Sequence, residues 1–328
     1  MRTVRRILVA VKDPDARSMP AVDKAVQLAR AFGAQVELFN SITTPVYLDV
    51  EGLANDSLGE VERARRAQVG RRLESIAARA RKEGVKVTTS AEWDYPPHEA
   101  IVRRATSTNA DLIVAECHAG RHVAPWLLHL TDWELLRYSP VPVLLVKNKR
   151  PYRHPVVLAA VDPTHAFAKP TKLDDEILQA GVTVKAALRG TLHAVHAYVP
   201  MPIDATPSEL LKVDATKRLD AHAKAKARVG LERVLRRFKI PRARQHLVGR
   251  HPMDSIPDLA KELGSAIVVM GAISRSGLKR IFIGNTAERI LDAITCDVLV
   301  VKPRHFVSRV ARAKRGVKLI APQMPLPY

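Results

Sequence analysis

Gly271 and Gly284 stand thirteen residues apart in the stretch Gly271-Ala-Ile-Ser-Arg-Ser-Gly277-Leu-Lys-Arg-Ile-Phe-Ile-Gly284-Asn-Thr286, which gathers what a phosphate group needs. Glycine has no Cβ, so backbone N–H groups there can approach an anion closely. Ser274, Ser276, Asn285 and Thr286 add short donors, while Arg275, Lys279 and Arg280 add positive charge. A helix beginning near Thr286 turns the positive end of its dipole toward the same anion. An ordinary turn into a helix uses many of the same residue types, so this stretch alone leaves both readings open.

The chain contains a second version of this region. Shifting the sequence by 155 residues places Pro97, Ile101, Ala105, Val114, Thr131, Leu136 and Lys147 on Pro252, Ile256, Ala260, Val269, Thr286, Leu291 and Lys302 without a gap. That period is too long for a solenoid and indicates duplication of a whole domain. The repeat fails where the chemistry is expected. Glu116 stands opposite Gly271 and His129 opposite Gly284. A carboxylate at the first of these positions repels phosphate over several ångströms.

Other residue clusters are weaker. Cys117, His118, His122 and His129, with Glu116 beside them, are of zinc-ligand types, but their spacing fits no standard site, so no metal is assigned. Trp126 and Trp133 fall in an apolar stretch that suits packing better than base stacking. No hydrolase triad, paired-carboxylate site or Walker lysine motif stands out, and no catalytic residue is assigned. Turnover beyond slow nucleotide hydrolysis is not expected.

These residues must be positioned by a scaffold, and the hydrophobic pattern supplies one. Strands are expected at Arg6 to Val11, Val36 to Ser41, Val85 to Ser90, Asp111 to Ala115 and Val141 to Lys147 in the first half. In the second half they are expected at Val156 to Val161, Thr191 to Ala197, Arg244 to Val248, Ala266 to Met270 and Asp297 to Lys302. Several are apolar almost throughout, as strands covered on both faces by helices must be. Helical stripes are expected at Val69, Leu73, Ile76 and Ala80, and again at Ala227, Leu231, Val234 and Phe238. The fold class is therefore α/β, with two tandem doubly wound, five-stranded, parallel-sheet domains of Rossmann-like type. Their expected extents are 1–150 and 151–304, followed by a basic extension, 305–328. Asn148 to Pro155 suits a linker.

The chain has 328 residues, 47% of them apolar, and a formal net charge of +20. Two unmatched cysteines, Cys117 and Cys296, argue for a reducing compartment. Ile7 to Val11 is too short for a signal peptide or membrane span, which predicts a cytoplasmic protein without membrane contact. The positive field attracts anions such as nucleotides or nucleic acid. Residues 212–244 carry twelve Lys or Arg against three acids, and 62–86 carry nine against three.

The second half resembles the universal stress protein domain, whose nucleotide-binding members carry Gly-x2-Gly-x9-Gly-Ser/Thr after the fourth strand. Gly271 and Gly284 match its first and third glycines, with Ser274 in place of the middle one and Asn285-Thr286 at its close. Val157-Leu-Ala-Ala-Val-Asp162 is similar to the family's first strand and its terminal aspartate. The resemblance extends over roughly residues 1–305, with Thr131-Asp-Trp133-Glu-Leu-Leu-Arg137 and Gly284-Asn-Thr-Ala-Glu288-Arg-Ile-Leu similar to tandem members of the family. It implies ATP or another adenine nucleotide in the second domain only. Asp162 would meet the ribose or base, backbone near His196-Ala197 the adenine, and Gly271, Ser274, Gly284, Asn285 and Thr286 the phosphates. Lys12 replaces the aspartate in the first half. The resemblance also implies a stress-response binding or signalling module, a pseudo-dimer of the two halves, and pairing of chains into a homo-oligomer. The alternative is a basic scaffold that binds nucleic acid or another anionic partner through 212–244 and the tail, without nucleotide.

Overall fold

The computed structural model describes residues 3–43, 46–47, 55–117, 131–164, 173–200, 213–272, 285–316 and 319–320. Two compact units emerge. One runs from Val4 to Val143 and takes up the segment from Val307 onward; the other comprises Leu144 to Phe306, joined by the first three residues. The division falls inside a strand at 143/144, several residues before the basic segment expected to link the halves.

In the first unit, β1 (Arg6–Ala10), α1 (Pro20–Phe32), β2 (Gln35–Ile42), a short β3 (Val46–Tyr47), α2 (Asn55–Lys82), β4 (Val87–Trp93), α3 (Pro97–Ser107), β5 (Leu112–Glu116) and α4 (Thr131–Tyr138) follow one another. β6 (Val143–Val146) lies at the unit boundary. β1 pairs in parallel with β2 on one side and with β5 on the other, and β2 pairs in parallel with β4. Ile7, Leu8, Val9, Leu38, Phe39, Ile113 and Val114 are almost fully buried, because helices cover both faces of these central strands. The α1 chain stops at Gly33, whose φ of 66° is the left-handed conformation a side chain would strain.

The second unit repeats the plan. It contains β7 (Val156–Ala160), α5 (Leu173–Ala187), β8 (Thr191–Ala197), α6 (Val213–Leu235), β9 (Gln245–Val248), α7 (Pro252–Glu262), β10 (Ile267–Gly271), α8 (Asn285–Ala293) and β11 (Asp297–Val301). The strands are ordered β11-β10-β7-β8-β9, all parallel. The chain therefore moves outward from β7 through β8 to β9, then returns to the other side of β7 as β10. That reversal creates a switch point between β7 and β10, where open α/β sheets place ligands. The repeat offset is visible in the coordinates, since α3 and β5 map on α7 and β10 residue for residue.

All ten expected strands are present, with ends shifted by three residues or fewer. One helical stripe needs correction. Val69, Leu73, Ile76 and Ala80 are buried as expected, and so are Ala227 and Leu231, but Leu235 completes the second stripe. The helix ends there, and Phe238 N–H turns back to the Leu235 carbonyl at 2.9 Å. Val234 and Phe238 are accordingly only half-buried.

Two segments outside the sheets are docked. The basic stretch after β6 belongs to the second unit: Lys147 Nζ donates to the Leu291 and Ile294 carbonyls, and Tyr152 Oη donates to buried Asp297. The C-terminal segment belongs to the first unit. Arg315 N–H donates to Asp94 at 2.9 Å, its guanidinium grips Glu99, and Arg103 bonds both carboxylates. Further on, Leu319–Ile320 forms a twelfth strand, β12, which pairs in parallel with β3. Neither short strand is legible in the hydrophobic pattern. Among the described residues no helix is long and apolar enough to cross a membrane. Among the described residues there is no disulfide.

Candidate functional site

The second unit's switch point is built from the ends of β7, β8 and β10. Beyond β7, Asp162 is held from two sides. Its N–H donates to the Asp174 carboxylate at 2.9 Å, and its own carboxylate accepts from Thr164 Oγ at 3.1 Å. Asp174 is 4% exposed and sits in the first turn of α5, where the helix dipole favours a negative charge. Asp162 itself is half-buried.

At the end of β8, His196 forms the crevice floor. It is 1% exposed, and its Nδ1 lies 3.3 Å from the Val161 carbonyl. A carbonyl only accepts, so Nδ1 carries a proton toward it, while Nε2 lies 3.5 Å from Thr164 Oγ, whose own proton goes to Asp162. Ala197 follows, half-buried and paired with Val248 in the β8–β9 ladder.

Gly271 ends β10, and the structure gives it a packing duty. A Cβ at this position would lie 2.6 Å from Leu173 Cδ2, 2.8 Å from Leu173 Cγ and 3.1 Å from Ile177 Cδ1. Both of these α5 side chains are buried, so neither can swing aside. The glycine lets α5 lie close against β10. Asn285 and Thr286 open α8, as expected, and turn its positive end toward the same rim. Ser274, Gly284 and the side chains of Asn285 and Thr286 lie outside the described residues.

The corresponding place in the first unit has different chemistry. Asn40 takes the position of His196 and is also buried, donating to the Val11 carbonyl at 2.8 Å and to the Lys12 carbonyl at 3.2 Å. Lys12 replaces Asp162, and Glu116, exposed, replaces Gly271. On the first turn of α4, burial pushes the Asp132 carboxyl up to about 6, and the positive charge of Lys12 pulls it part of the way back. The charge of Lys12 is thus felt at the Asp132 carboxyl. Of the cluster considered for metal, Cys117 is half-buried after β5, while His118, His122 and His129 lie outside the described residues, as does Trp126.

Sequence reasoning missed Thr164, Asp174, Asn40 and Asp132 as parts of these crevices, and gave His196 only a backbone role. One signal was available. Asn40 and His196 are both polar residues inside apolar strands, at equivalent places in the repeat.

The universal stress protein family model matches residues 3–147 and 157–302. The chain belongs to the universal stress protein family. Universal stress protein E of Salmonella typhi is 30% identical over 314 residues, covering 92% of this chain and 96% of its own. Among solved structures, a functionally unknown protein from Pseudomonas aeruginosa PAO1 is 25% identical, with a TM-score of 0.69 over 92% of this chain and 93% of its own. A universal stress protein solved in complex with cAMP is 22% identical, with a TM-score of 0.33 over 44% of this chain and 97% of its own. The tandem universal stress protein architecture, α/β with a sheet of parallel strands in each unit, is thus established for this chain.

Proposed function

We propose that this tandem universal stress protein is a stress-response binding module that takes an adenine nucleotide, ATP or a close relative, in its second unit alone. The observation that supports this reading is Asp162 just beyond β7, its N–H held by Asp174 and its carboxylate by Thr164. A carboxylate there accepts hydrogen bonds from ribose hydroxyls, as acidic residues do in other doubly wound nucleotide sites. Backbone groups at Ala197 reach the adenine edge. The loop from Gly271 through Ser274 to Gly284, and the α8 start at Asn285 and Thr286, receive the phosphates.

In the first unit, Glu116 repels phosphate and Lys12 stands where the ribose-binding acid would be. The reading is of a module that binds and signals, with slow nucleotide hydrolysis at most. Denaturing the purified protein and separating the supernatant by chromatography is expected to release adenine nucleotide. Gly284→Asp puts a carboxylate in the phosphate loop and should empty it. Undiminished nucleotide in that variant would remove the second-unit site as drawn.

A further inference from the structure

The long helices α2 and α6 hold corresponding places in the two units, and both are strongly basic. Their surfaces differ. On α2, Arg66 pairs with Glu62 at 2.7 Å, Arg72 with Asp15 at 2.9 Å, and Arg81 with Glu74. On α6, Ala227, Leu231 and Leu235 face the core, which leaves Arg218, His222, Lys226, Val229 and Arg233 on the outward stripe at spacings of four, four, three and four. Arg236, Arg237 and Lys239 continue it past the helix end, all exposed. Among the described residues, the ion pairs in this region are Arg237 to Asp175 at 3.5 Å and Arg242 to Glu232 at 4.0 Å, with the arginines 80% and 83% exposed. Such pairs are weak and leave the positive field largely uncompensated.

The stripe leads to a cavity of about 360 Å³ lined by Asp175, Gln179, Arg237, Phe238, Lys239 and Arg304, where Arg304 pairs with Glu176 and the cations still outnumber the acids. A row of cations ending at an aromatic ring inside a cationic cavity matches a chain of phosphates with one base turned inward. A lipid surface is a poor match, because the apolar face of α6 is spent on its own core and Val229 alone is an exposed large hydrophobe on the outer one. In the basic tail, by contrast, Lys314 and Arg315 are engaged with Glu92 and Glu99 of the first unit.

We propose that the outward face of α6 and the turn after it bind single-stranded nucleic acid, with phosphates along Arg218 to Arg237 and a base against Phe238. This site is separate from the adenine crevice and stands or falls independently of it. The test is fluorescence anisotropy of the full chain with a labelled 20-nucleotide oligo-dT. About five phosphate contacts predict a roughly 100-fold loss of affinity between 50 and 200 mM salt.

The triple variant Arg233→Glu, Arg236→Glu, Arg237→Glu should weaken binding at least about tenfold and flatten the salt slope by about two. Arg63→Glu, Arg71→Glu, Arg79→Glu on α2 makes the same change in net charge and should leave affinity within about threefold, because it leaves the phosphate contacts in place. Phe238→Ala should cost at least about fivefold without changing the slope. Equal losses from the two triple variants would reduce the effect to net charge and overturn the assignment. Displacement by polyglutamate, charge for charge, together with an unaffected Phe238→Ala, would overturn it in favour of an acidic protein partner. Circular dichroism and retained adenine nucleotide on the same samples separate either result from misfolding or from failure of the other site.

Discussion

The two crevices of this chain share a backbone plan and differ in nearly every group that faces a ligand. In the second, an acid ends the first strand, a glycine ends the fourth and the buried floor is an imidazole. In the first, the same places hold Lys12, Glu116 and Asn40. Strands and packing positions survived duplication because both units need them. The crevice rims changed because a fold tolerates many chemistries at its switch point once the core is secure. Gly271 qualifies that account, since its lack of a side chain serves close packing against Leu173 as well as any ligand.

The largest contrast to test lies at the ends of the last strands, where Lys147 and Lys302 are equivalent. Lys147 Nζ is held by two carbonyls, whereas Lys302 Nζ has no hydrogen-bond partner among the described residues and lies 4.7 Å from the Phe306 ring centre. Burial lowers the Lys302 amine to about 7. The folded value is below the unfolded one, so this group destabilises the fold at and below pH 7. That penalty lifts as pH rises from about 7 toward 10.5. Lys302→Met should raise stability at pH 7 by at most about 5 kcal/mol, with the gain shrinking toward pH 10. Thermal unfolding at the two pH values checks this, and Lys147→Met should instead destabilise.

Asp132 offers the next effect, in the first unit. Its folded value of about 6 lies above the unfolded 3.8, so stability falls as pH rises through that window and stays reduced above it. Asp132→Asn should stabilise the first unit by up to about 3 kcal/mol at pH 7 and by little at pH 4, read by calorimetry. A gain equal at both pH values would mean that burial does not raise the Asp132 carboxyl as described.

Exchanging glycine and glutamate gives a smaller effect. Gly271→Glu forces a Cβ onto Leu173 and should cost about 1 to 3 kcal/mol by overpacking, whereas Glu116→Gly should cost under about 1 kcal/mol. If both exchanges proved equally mild in denaturant unfolding, the packing role of Gly271 would be wrong.

The fold was legible in the sequence because buried parallel strands are apolar runs and the repeat doubles each one. The end of the α6 stripe was misplaced because a turn after Leu235, not the periodicity, decides what is buried. β3 and β12 were invisible, being two residues each and formed between segments far apart in the chain. In the candidate site, Gly271 stood out by type and spacing, and Asp162 through the resemblance to the family's first strand. Thr164, Asp174 and Asp132 did not, because their roles depend on contacts that only the folded chain creates. Gly271 was legible as a glycine that matters, but its tight contact with α5 was not.

The central claim is that adenine nucleotide belongs to the second crevice and not to the first. Gly271→Glu is a poor probe of it, because it disturbs packing as well. Asp162→Lys and Lys12→Asp exchange the rim charges without touching the core, and nucleotide bound per chain after purification can be counted for each. The account predicts that Asp162→Lys releases the nucleotide and that Lys12→Asp retains it at the wild-type ratio. Nucleotide retained in Asp162→Lys and lost in Lys12→Asp would contradict it.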